Sequence, residues 1–153
     1  MRKNLMVAAL LVGAGLAAAQ EKEQEKKVSM RDLPPAVQQA VKEHSKGATL
    51  VGLTQETEEG KTRYEAELKV NGRTKDVTFD SSGKVVSVEE EIAIQSIPAA
   101  AREAIRKSAG TGKIILVESV TEGGKTFFEA HIQKDAKGAE IEVKVDAKGN
   151  LVK

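Results

Sequence analysis

Apolar and polar side chains alternate along much of this chain, in blocks divided by turn residues. From residue 61 to 70, Tyr64, Ala66, Leu68 and Val70 point one way and Glu65, Glu67 and Lys69 the other. A period of two is the mark of a strand with one dry and one wet face. The next block keeps Val77 and Phe79 inside and Asp76 and Thr78 outside. Turn chemistry brackets these blocks at Glu58-Glu59-Gly60, at Asn71-Gly72 and at Asp80-Ser81-Ser82-Gly83. Asn-Gly is a strong two-residue hairpin signal. The pattern predicts four strands, over 49–57, 61–70, 73–79 and 84–92.

Ahead of the strands the period changes. Val37, Ala40, Val41 and His44 share a face at helical spacing, and Pro34-Pro35 suits a first helical turn, where the missing N–H costs little. Gly47 is a natural left-handed stop.

The same pattern then returns with a shift of 64 residues. Leu33-Pro34 answers to Ile97-Pro98, Ala36 and Ala40 to Ala100 and Ala104, and Tyr64-Glu65-Ala66 to Phe128-Glu129-Ala130. After two extra residues in the second copy, Phe79-Asp80-Ser81-Ser82-Gly83 answers to Val145-Asp146-Ala147-Lys148-Gly149. A fixed offset that preserves apolar positions is the signature of a repeated unit. The expected fold is therefore α+β: a tandem repeat of a short helix followed by an antiparallel four-stranded meander, with the helices on one face of the sheet. The copies would span 28–91 and 92–153. Each is marginal for a core of its own, so the two sheets should join or pack into one body.

The N-terminus follows different rules. Arg2 and Lys3 precede an uncharged, mostly apolar run from Leu5 to Leu16, which ends in Ala17-Ala18-Ala19. These are the three parts of a secretory signal peptide, predicted over 1–19 with cleavage before Gln20; the run is too short for a membrane span. The destination is the periplasm of a bacterium or the medium. Residues 20–27 carry no apolar side chain and are expected to form a charged, disordered leader.

Composition narrows the function. Loss of Arg2 and Lys3 with the signal peptide would take the formal charge from +1 to −1, which leaves no electrostatic footprint for nucleic acid. No later segment is apolar enough to span a bilayer. The chain has no cysteine, hence no disulfide, zinc thiolate or thiol nucleophile, and packing alone must hold the fold.

A helix opened by Leu33-Pro34, a stretch Gly60-Lys61-Thr62-Arg63-Tyr64-Glu65-Ala66, and a strand and turn running from Val77 to Val86 together resemble a PepSY-type domain. The second copy carries Gly124-Lys125-Thr126-Phe127-Phe128-Glu129-Ala130 and a matching run from Val143 to Val152. Two such units behind a signal peptide are similar to the small bacterial periplasmic proteins grouped as PepSY-like or β-lactamase-inhibitor-like. The resemblance covers Val28 to Val152. It implies modules that inhibit or restrain peptidases or other extracytoplasmic partners. The inhibitor proper carries disulfides and aromatic contact residues, and this chain has neither set.

Catalytic chemistry finds little to work with. Of the two histidines, His44 falls near a helix end, where a cation is favoured. His131 falls on the outward side of its strand, in line with Glu129 and Gln133, and is expected to be solvated. No Gly-x-Ser-x-Gly elbow occurs. Glu89-Glu90-Glu91 alternates faces on a strand, so it should not gather into a cage. Asp80-Ser81-Ser82-Gly83 lacks the spacing of a calcium loop and reads as a turn. The expectation is no enzyme, with no catalytic residue, cofactor site or metal site. Instead the chain should bind or inhibit a protein or peptide partner; the alternative is a sensor or carrier of a small ligand or metal ion. The contact residues singled out are Arg63, Phe127 and His131, because aromatics and arginine favour interface centres and all three point outward.

Overall fold

The computed structural model describes residues 24–58, 60–135 and 138–152. The expected signal peptide and residues 20–23 lie outside them. The elements run β1 (Gln24–Lys27), α1 (Pro35–His44), β2 (Thr49–Glu58), β3 (Lys61–Val70), β4 (Arg73–Asp80), β5 (Val85–Glu91), α2 (Ala99–Ala109), β6 (Lys113–Glu122), β7 (Lys125–Gln133) and β8 (Glu140–Val145). A short 3-10 turn precedes each helix, at Met30–Asp32 and Ile94–Ser96.

All eight strands form one antiparallel sheet in chain order. The sheet is thus larger than the expected four-stranded meander, because the two halves join edge to edge. The two halves fuse where β5 pairs with β6, from Ser87↔Glu122 to Glu91↔Glu118. Fusion removes two open edges, each a row of unpaired backbone groups.

A correction concerns the leader. Gln24–Lys27 is not a free tail. It pairs with β2 from Gln24↔Thr57 to Lys27↔Thr54. Shifted by 64 residues, those pairs become Val88↔Thr121 and Glu91↔Glu118, which are the pairs that join β5 to β6. The chain therefore traces the same path twice: a strand, a helix, then three strands. Backbone bonding holds β1 in place, so it needs no apolar side chain.

Other local features recur at the same offset. A bulge breaks the register between Leu50 and Gly52 on β2, and between Ile114 and Leu116 on β6. The bulges leave Val51 and Ile115 exposed. At the Asn71-Gly72 hairpin both residues take positive φ, 52° and 83°, as the favoured two-residue turn requires.

Two apolar cores lie side by side on one face. Under α1, Leu33, Val37 and Val41 meet Leu53, Tyr64, Ala66, Leu68, Val77 and Phe79. Under α2, Ile97, Ala101 and Ile105 meet Val117, Ala130, Ile132, Val143 and Val145. The register carries the first face into the second, since Val77 pairs Val88, Val88 pairs Thr121, and Thr121 shares its side of β6 with Val117. Both helices thus cover the same face of the sheet. Each large apolar side chain sealed there contributes roughly 1.5–3 kcal/mol. The small residues Ala101 and Ala109 let α2 sit close on its strands.

The turns after β4 and β8 press on the helices. Gly83 and Gly149 have φ of 81° and 83°. A Cβ at Gly83 would stand 2.6 Å from the carbonyl oxygen of Ala36, and one at Gly149 2.6 Å from that of Ala100. Backbone cannot swing aside as a side chain can. Gly83→Ala and Gly149→Ala are each expected to lower stability by about 1–3 kcal/mol or more. Gly47→Ala, with φ of 77° but nothing near the added carbon, should lose less. Urea unfolding of the three variants checks the ranking.

Candidate functional site

The face opposite the helices should be the wet one, and its composition is unusual. Alternation puts Glu65 and Glu67 of β3 on it, Asp76 of β4, Glu89 and Glu91 of β5, Glu118 of β6, Glu129 of β7, and Glu140 and Glu142 of β8. Register then lines these residues up across strands. Glu67 pairs Asp76, and Asp76 pairs Glu89. Glu91 pairs Glu118, and Glu118 pairs Glu129. Directly paired side chains on a sheet lie about 4.5–5.5 Å apart at Cβ, and like charges so placed repel.

These groups are also sheltered. Glu118 is only 3% exposed, Thr54 4% and Val120 1%, although neither helix lies on this side. Burial drives up the Glu65 carboxyl to about 8, helped by the charges of Asp76, Glu56, Glu89 and Glu67. Burial and the charges of Glu129, Glu118 and Asp76 lift Glu89 to about 7. Glu129 is raised by burial and by Glu142, against the pull of Lys144 and His131.

His131 sits where the acids converge. Its Nε2 is 3.2 Å from Oε2 of Glu118 and 3.8 Å from Oε1 of Glu129. Its Nδ1 is 3.2 Å from Oε1 of Glu140 and 3.7 Å from Oε1 of Glu142. Burial works against the charged imidazolium, but the hydrogen bond to Glu118 and the charges of Glu118, Glu142 and Glu129 outweigh it and raise His131 to about 9. The side chain is 16% exposed, so the expected solvated strand histidine is instead an enclosed one.

The three residues singled out from sequence all lie on this face, but not together. Phe127 and His131 share β7, while Arg63 is on β3. Four strand spacings, roughly 19 Å, separate the two strands. Arg63 and Phe127 are counterparts at the 64-residue offset, and each is half-buried. Lys144 Nζ lies 5.3 Å from the centre of the Phe127 ring and 3.4 Å from Glu122. His44 belongs to the other side, its ring edge-on to Phe79 at 5.4 Å. Asp80 and Asp146 are turn residues, accepting backbone N–H bonds from Ser82 and Lys84, and from Lys148 and Asn150.

Glu89-Glu90-Glu91 does alternate, with Glu90 on the helix side bound to Lys75 at 2.7 Å and Glu91 accepting from the backbone N–H and hydroxyl of Thr74. The cage forms across strands, not along one. Sequence reasoning passed over Glu65, Glu89, Glu118 and Glu129 as candidates. The available signal was acid at every second position on several strands, which means little until the register is known.

A family model described as "Putative beta-lactamase-inhibitor-like, PepSY-like" matches residues 19–87 and again 62–153. No curated protein matches. Among solved structures, a BLIP-like protein of Bacteroides fragilis is similar at 22% identity and a TM-score of 0.55, over 79% of this chain and 84% of that one. A protein of Bacteroides eggerthii described as a "putative periplasmic" protein is similar at 19% identity and a TM-score of 0.62, over 79% and 86%. These likenesses establish the fold.

Raised carboxyl groups couple the acidic face to pH. A buried Glu65 binds its proton more tightly folded than unfolded, so its contribution to stability is complete below about 4.5 and is lost as pH rises through about 8. His131 works in the same direction, between 6.5 and about 9. The free energy of unfolding should therefore fall from pH 5 to pH 8 by on the order of a few kcal/mol, and the melting temperature should fall with it. Glu65→Gln, which keeps the neutral shape, should flatten that slope; an equal slope in the variant would refute the assignment.

Proposed function

The chain belongs to the PepSY-like, β-lactamase-inhibitor-like family, and from that membership we propose that it is an exported, non-catalytic binding module. In this reading it is a doubled unit whose acidic sheet face receives a basic segment of a protein or peptide outside the cytoplasm. One observation carries the reading. Folding brings Glu65, Glu89, Glu118 and Glu129 within electrostatic reach of one another on a face that the cores do not need. Stability alone would favour neutral polar residues there. A cationic partner relieves the repulsion and gains from each carboxylate it neutralises, which gives both attraction and selectivity.

Export is supported by Arg2-Lys3, the apolar run after them and Ala17-Ala18-Ala19. No helix among the described residues is long and apolar enough to cross a membrane. A non-catalytic role is supported by the surroundings of the two imidazoles: His131 contacts carboxylates, and His44 meets an aromatic ring. Arg63 and Phe127 border the acidic rows from equivalent positions, where an arginine and an aromatic can frame a bound chain.

A ten-residue oligolysine peptide titrated into the protein should bind. Its affinity should fall tenfold or more between about 50 and about 500 mM salt, as the Debye length shrinks. At about pH 8.5, above the points where Glu65 and Glu89 lose their protons, Glu65→Gln combined with Glu89→Gln should weaken binding at least threefold, and an oligoglutamate peptide should not bind. Binding that the double variant leaves intact would overturn this reading of the face.

A further inference from the structure

We infer that Glu118, Glu129 and His131 form a binding site for a first-row divalent transition metal, with Glu140 as the outer carboxylate that orients the imidazole. One ligand atom from each of the three residues can be chosen so that all lie within 4.8 Å of one another. Zinc ligands sit about 2.0–2.2 Å from the metal, so donors at tetrahedral angles stand roughly 3.4 Å apart. Nε2 of His131 already lies 3.2 Å from Glu118 and 3.8 Å from Glu129. Both spacings are within a few tenths of an ångström of that value, and the two carboxylate oxygens lie within 4.8 Å of each other, so rotation of the glutamate side chains brings the three donors around one ion.

The donor set is more specific than a patch of acid. Carboxylates alone would take any hard cation, and calcium or magnesium would ask for oxygen ligands only. An imidazole nitrogen between two carboxylates favours zinc and its neighbours in the first transition row. The other ring nitrogen supplies a separate observation. Nδ1 is 3.2 Å from Oε1 of Glu140, a residue outside the ligand set. Metal-bound histidines characteristically donate their second N–H to a carboxylate, which fixes the tautomer and aims the free nitrogen at the ion. Here that arrangement leaves Nε2 directed between Glu118 and Glu129. On binding, the metal takes the place of the Nε2 proton, which passes to solvent, while Nδ1–H stays on Glu140.

The supporting frame is rigid. Glu118 and Glu129 are a direct cross-strand pair on β6 and β7, and His131 is two residues along β7 on the same face. Glu118 is almost wholly buried, with 4% of its side chain exposed, so its carboxylate cannot drift. Lys144, which acts on Glu129 through its charge, is also held by Glu122 and lies over the Phe127 ring. Three protein ligands leave a coordination position for water or for a donor from a bound molecule. The ion needs no polypeptide partner, so this site stands whether or not the acidic face takes a basic peptide.

The chain contains only two histidines, which makes the test clean. Zinc chloride is titrated into the purified protein, with histidine ring nitrogens followed by NMR and stoichiometry by calorimetry. One equivalent should bind, Nε2 of His131 should shift as a metal-bound nitrogen, and His44 should not move. His131→Gln should weaken binding at least tenfold, and Glu140→Gln about tenfold. Manganese should compete and calcium should not. Circular dichroism of the variants separates lost ligands from lost fold. No zinc uptake at 1 mM, on the order of the weakest useful affinity, would overturn the inference, as would uptake that His131→Gln leaves unchanged or a shift confined to His44.

Discussion

The backbone ladder between β5 and β6 is the constraint on which the rest of the structure depends. It turns two small units into one sheet and closes an edge on each. It also fixes which side chains stand beside which. With Glu91 opposite Glu118 and Glu89 opposite Val120, the acids of the first half are set against those of the second. A slip of one residue would send every side chain of β6 to the other face and leave Val117 without its core. Apolar packing under α2 therefore holds the register, and the register assembles the acidic face.

The two faces divide the work. The helix side carries the stability, in two cores whose members answer to one another along the chain: Leu33 to Ile97, Val41 to Ile105, Ala66 to Ala130, Leu68 to Ile132. The opposite side resists charge: burial and neighbouring acids raise the carboxyl groups of Glu65, Glu89 and Glu129, and stability is lost as pH rises and they ionise. His131 offsets part of the repulsion by standing as a cation among four carboxylates. A protein of this size has a stability of only about 5–15 kcal/mol to spend on such an arrangement, which is why binding is the natural explanation for the acids.

Much of the architecture is legible in the residues. Period-two alternation marks β3 and β4, Asn71-Gly72 marks the hairpin between them, and prolines open both helices. The 64-residue offset is visible because a core position tolerates few residue types. What escapes is whatever rests on partners distant in sequence. β1 has no apolar side chain, so nothing local distinguishes it from a solvated tail; only its bonds to β2 make it a strand. The surroundings of His131 come from β6 and β8 as well as its own strand, and no local pattern reveals that a polar residue on an outward face will be enclosed.

Comparing the halves shows where function is concentrated. The positions of Glu118, Glu129 and His131 are held in the first half by Thr54, Glu65 and Glu67, on the same register, with Thr54 paired to Glu65 as Glu118 is to Glu129. The backbone therefore offers one geometry twice, while the side chains furnish a nitrogen and two carboxylates in the second half and a hydroxyl and two carboxylates in the first. If those acids served only to keep a sheet face wet, the two sets would be interchangeable and neither would be buried. Instead Thr54 is buried as a hydroxyl and Glu118 as a carboxyl group 3.2 Å from an imidazole nitrogen. A buried carboxylate persists only where a cation answers it. His131 is that cation in the isolated chain, so whatever the face binds must compete with, or build upon, an internal ion pair at a position where the first half carries Glu67.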